Sequence, residues 1–170
     1  MAQQVSKTVD WRAAVLAGLI AGAVFLVLEM IMVPLFLDGS PWAPPRMIAA
    51  IAMGREVLPP PATFEAGIFI TAMIVHFALS IIYGIVLAWL IFRLNRTAAL
   101  LVGAAFGLAI YLVNFYGFTA VFPWFADARN WVSVVAHIAF GLVAAWAYVA
   151  LAARGAVAGE VGRGGRMAAD

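Results

Sequence analysis

Residues 66–92 read AGIFITAMIVHFALSIIYGIVLAWLIF, a run without a single Asp, Glu, Lys or Arg. The hydrocarbon core of a bilayer takes about 20 consecutive apolar residues as helix, and this run is long enough to cross it. A lone strand in lipid would leave its amides and carbonyls unpaired, so the run reads as a transmembrane helix. Stretches 13–37, 98–122 and 131–153 have the same character. The sequence therefore predicts an all-α membrane protein with four transmembrane helices.

Composition agrees. Of 170 residues, 66% are apolar and 11% charged, and the mean hydropathy is +1.06. A soluble domain carries roughly 25% charged residues, so most of this surface must face something other than water. The expected partner is the lipid bilayer. A net charge of +2 with no basic run gives no indication of nucleic acid. Cysteine is absent, which excludes disulfides, iron–sulfur clusters and thiol nucleophiles. Abundant Ala and a preference for Arg over Lys hint at a GC-rich bacterial genome. Lys7 and Arg12 precede the first span as in a secretion signal. That span is too long for a signal, carries Glu29 and is followed by three more, so it reads as a retained helix.

Basic residues orient the chain. Lys7, Arg12, Arg93, Arg96, Arg154, Arg163 and Arg166 fall on one side, and Arg46, Arg55 and Arg129 on the other. Both termini are expected in the cytoplasm of a bacterial inner membrane. Residues 1–12 form a cytoplasmic segment, 13–153 the membrane domain and 155–170 a Gly-rich disordered tail. The tight 93–96 turn predicts that the second and third spans are antiparallel neighbours. The long outer loop, 38–65, is framed by prolines. Its apolar middle, 47–53, is too short to span and predicts an interfacial or re-entrant helix. Trp42, Trp124, Phe125 and Trp131 read as an aromatic belt at the outer interface.

A weak internal duplication accompanies the spans. An offset of 85 places Ala13, Ala14, Gly18, Gly22 and Glu29 on Ala98, Ala99, Gly103, Gly107 and Asn114. An offset of 61 places His76 on His137 and Ser80 on Gly141. The spans then form two related hairpins. Gly18, Gly22, Gly103 and Gly107 read as helix-packing faces.

Each span carries one strongly polar side chain: Glu29, His76, Asn114 and His137. At a helical rise of about 1.5 Å per residue, all four sit roughly 12–17 Å below the outer boundary. Polar and ionisable groups at such depth suggest function or a buried partner. Three readings stand side by side. In the first, the four are structural glue, hydrogen-bonding helix to helix in a structural or accessory membrane subunit. In the second they form an ion or proton site. Two imidazoles and a carboxylate are ligands for a divalent metal, and alternatively a proton could pass among them. In the third, His76 and His137 ligate a b-type haem for electron transfer. Small neighbours at helical spacing, Ser80 and Gly84, then Gly141 and Ala145, would leave room for it. No hydrolase, nucleotide-binding or zinc-protease signature is present, and the expectation is no enzymatic chemistry.

Trp11, Glu29, the Pro41-Trp42-Ala43-Pro44-Pro45 loop and one His in each of spans two and four resemble a group of uncharacterised small bacterial four-span membrane proteins. Some of those carry transporter-like labels, including sodium–solute symporter. The resemblance covers 11–153 and implies a multi-pass membrane protein without specifying an activity. This chain is much shorter than true sodium–solute symporters. A lone Glu in the first of four helices is also similar to the small multidrug exporters, as an analogy of fold. A transporter of this size would favour a homodimer or a larger membrane complex, because four helices make a thin pathway.

Overall fold

A computed structural model describes residues 8–167, with side chains described to residue 155. Helices α1 (Trp11–Phe36), α2 (Ala43–Met53), α3 (Ala66–Ile91), α4 (Arg96–Leu112) and α5 (Trp131–Met167) follow in order, joined by short 3-10 and π segments. No strand occurs among the described residues. Four stretches are long and apolar enough to cross a membrane: Trp11–Phe36, Ala66–Ile91, Arg96–Ala120 and Trp131–Gly155. Ile74, Ile82, Trp89 and Leu101 stand outward, each more than half uncovered, as lipid-facing side chains do. Of the expected disordered tail, 155–170, α5 takes in the residues up to Met167, and side chains are described only to Gly155.

The two hairpins correspond at their caps and glycine faces. Asp10 caps α1 by accepting from the Ala13 amide at 2.9 Å, and Asn95, 85 positions on, caps α4 from the Ala98 amide at 2.9 Å. A Cβ added to Gly18 would strike the backbone at Ser80 and Ile81, and one added to Gly22 would lie 2.8 Å from the Ser80 Cβ. In the second hairpin, a Cβ on Gly103 would meet Gly141 and Ala145, and one on Gly107 the His137 backbone. Gly18 and Gly22 thus do for α1 against α3 what Gly103 and Gly107 do for α4 against α5. Absent side chains let two backbones approach, which is how helices gain packing energy in lipid.

The hairpins meet unequally. α1 packs extensively along α5, and Ala17, Ala21 and Ala144 are buried in the core they share. α3 and α4 are the neighbours their tight connection predicts, but they touch only sparsely. A short turn brings two helix ends together and says nothing about how far the helices diverge beyond it.

The short helix of the long loop is present, and begins with Pro44 and Pro45 in its first turn, where a missing amide hydrogen costs nothing. Ala49 and Ala50 bury against Ile68 and Ala72 of α3. Arg46 ties down the rest of the loop, donating to the Val57 carbonyl at 2.7 Å and the Thr63 carbonyl at 3.0 Å. The aromatic belt needs a correction. Trp124 is buried, and its indole N–H donates to the Met47 carbonyl at 3.1 Å, so it anchors α2. Trp131 does face outward.

Candidate functional site

The sequence places one polar residue from each span at a common level, and the structure divides them. His76, Asn114 and His137 line one cavity, of about 210 Å³, between α3 and α4. Glu29 lines another, of about 280 Å³, at the α2 end of the α1–α5 interface. Phe25, Ile48, Phe115 and Phe125 border both and form the partition.

Glu29 is 5% exposed, and its Oε1 is buried without a hydrogen-bond partner. Its polar neighbour is the side chain of Ser133 on α5. Pro34, inside α1, leaves the carbonyl of Met30, the residue next to Glu29, without its usual amide partner. The cavity beside Glu29 runs past Val33 and Asn130 to the exposed residues Leu37 and Asp127, and so opens at the α2 end of the bundle.

The imidazoles are each held by a carbonyl. His76 Nε2 lies 2.8 Å from the Gly22 carbonyl, a bond from α3 to α1, and His137 Nδ1 lies 2.7 Å from the Ser133 carbonyl within α5. A carbonyl only accepts, so each of these nitrogens carries the proton. The other ring nitrogen of a neutral imidazole is then an acceptor. For His137 this is Nε2, and the Asn114 amide nitrogen approaches it at 3.5 Å, the far edge of a hydrogen bond. Asn114 Oδ1 accepts from the Tyr83 hydroxyl at 3.1 Å. The Phe25 ring packs against both imidazoles, with centroids 5.5 Å from His76 and 4.8 Å from His137.

Asn114 owes its position to a local irregularity. α4 ends at Leu112 and continues as a π-helical turn, Val113–Gly117. Such turns leave carbonyls without their α-helical partners and recur at functional sites. Here Arg129 donates through Nε to the Phe115 carbonyl at 2.7 Å, and its guanidinium lies 4.4 Å from the centre of the Tyr116 ring. Arg129 therefore supports the turn that carries Asn114 and Phe115.

Tyr83, Phe25, Ser133 and Arg129 belong to this arrangement, and the sequence reading assigned none of them to it. Tyr83 and Phe25 resemble ordinary packing in a span, and Arg129 an ordinary loop charge. Only Ser133 left a local signal, a small polar residue one helical turn before His137. Among the described residues, no group of three His, Cys, Asp or Glu converges as a metal site would require. No protein-family model, curated protein or solved structure matches the chain.

Proposed function

We propose that this multi-pass membrane protein binds and releases a proton at Glu29, from the side of the bundle that carries α2. The observation that carries the reading is the unpartnered, buried Oε1 of a carboxyl beside an open cavity. A structural carboxyl earns its place by being hydrogen-bonded, since a buried charge without partners costs several kcal/mol. His76 and Tyr83 do link helices in this way; Glu29 leaves an oxygen idle. A carboxyl so placed gains most from a proton or a small cation arriving through the cavity. Separation from the imidazoles favours the proton over a divalent metal, whose ligands must converge. A b-haem between His76 and His137 would have to displace Phe25 and release the Gly22 carbonyl. The distribution of basic residues sets the orientation, with both termini cytoplasmic and α2 toward the outside.

Ser133 stands between two polar groups: its side chain neighbours Glu29, and its backbone carbonyl accepts from His137, beyond which lie Asn114 and Tyr83. They give a proton taken up at Glu29 neighbours with which its binding can be coupled. The test is infrared spectroscopy of the protein in liposomes through a pH titration. The wild type should show a buried carboxylic C=O band that appears with acid and is missing in Glu29→Gln. Thermal stability of Glu29→Gln should match the wild type, because the neutral amide is isosteric with the protonated acid. Loss of stability with an unchanged infrared titration would overturn the proposal and leave Glu29 as structural glue.

A further inference from the structure

The cleft between α3 and α4 is a different site from the Glu29 cavity and has a different chemistry. Its walls are largely aromatic, with Phe25, Phe115 and Phe140 at the back and Ile48 and Ile51 of α2 at one end. Tyr83, packed against Phe106 and Phe140, closes the other end. At the mouth stand Leu79, 36% exposed, and Phe118, 46% exposed, on the lipid-facing surface. Because α3 and α4 barely pack, the bilayer interior has direct access between them.

The size selects. A dry cavity of about 150 Å³ holds one benzene ring, and this one is about 210 Å³. One substituted six-membered ring fits; a porphyrin does not.

The polar groups select further. Both imidazoles give their N–H to a backbone carbonyl, at Gly22 and Ser133. Neither therefore has a proton left to donate, and each keeps one acceptor nitrogen. The acceptor of His137, Nε2, is met only by Asn114 at 3.5 Å, and Asn114 Oδ1 is already taken by Tyr83. A ligand seated here meets an underused acceptor inside an aromatic box. We propose that the α3–α4 cleft binds a lipid-soluble phenol or hydroquinone, its ring among the phenylalanines and its hydroxyl donating to His137 Nε2. An alkyl tail leaves between Leu79 and Phe118 into the bilayer. The inference is independent of proton binding at Glu29.

The probes are decyl-hydroquinone, kept reduced, its dimethyl ether and decanol, each titrated into liposomes containing the full chain with ¹⁵N-labelled histidine. The hydroquinone should bind saturably and shift the Nε2 resonance of His137. The ether, lacking the hydroxyl proton, should bind about ten-fold more weakly, as expected for one lost hydrogen bond. His137→Leu should erase that discrimination. Leu79→Trp fills the mouth from the lipid side, where folding is little affected, and should abolish saturable binding. Equal affinity for hydroquinone and ether would overturn the proposal, as would undiminished binding in Leu79→Trp. Decanol binding as tightly as the hydroquinone would overturn the aromatic part and assign the cleft to an aliphatic lipid hydroxyl.

Discussion

The two hairpins correspond at their caps and glycine faces, yet one of their mutual interfaces is closed and the other open. Under the offsets of 85 and 61 residues, α1 against α5 corresponds to α4 against α3. Ala21 corresponds to Phe106, and Ala144 to Tyr83. Ala21 and Ala144 are buried in the closed interface, at 0% and 1% exposure. Phe106 and Tyr83 face each other across the open one, with ring centroids 6.5 Å apart. Two methyl groups let the backbones close, whereas two aromatic rings hold them apart and leave a cavity beside them. Two hairpins with matching glycine faces thus form one sealed contact and one cleft, small residues standing at the first where large ones stand at the second. The polar residues diverge in parallel. Glu29 sits at the end of the closed interface with an idle oxygen, and its counterpart Asn114 sits in the open one with its oxygen occupied.

The most damaging way to break this contrast is to place the wedge of the open side into the closed one. Ala144→Tyr should destabilise the bundle by about 3 kcal/mol, the upper range for overpacking a tight core. Thermal unfolding in detergent reads this directly, and a wild-type Tm would refute the role assigned to the alanine contact. A smaller loss is expected from Arg129→Ala. It strips a charged hydrogen bond from the Phe115 carbonyl and should cost about 1.5–3 kcal/mol. Hydrogen exchange should rise at 113–117 and stay unchanged in α1, confining the effect to the open side. The smallest effect belongs to Tyr83→Phe. It removes the bond to Asn114 across the cleft and should cost about 0.6 kcal/mol, the average for such bonds within membranes. Its signature is a wider separation between spin labels placed on α3 and α4, with the α1–α5 separation unaltered.

The candidate site was only half legible in advance. Glu29, His76, Asn114 and His137 are conspicuous because polar side chains are rare in spans, and counting along helices puts them at one depth. Depth is one coordinate. Whether residues at one level converge depends on rotation about each helix axis and on which helices are neighbours. Those follow from the fit of Gly18 to Ser80 and of Gly107 to His137, and from the ring volumes at 83 and 106. The belt assigned to Trp124 failed for a related reason. An indole at a loop end suits an interface equally well whether it meets lipid or a returning loop helix, and here α2 lies over it.

What the residues by themselves determine is the number of crossings, the glycine faces and a weak correspondence between the two hairpins. Each is a local property, set by hydrophobic length and spacing along a helix. Tertiary structure alone decides that α1 rather than α3 and α4 seals the bundle, that Glu29 stands apart from the two imidazoles, and that a cleft remains. Those outcomes rest on the packed volumes of side chains far apart in the chain, and no local pattern encodes how such volumes meet.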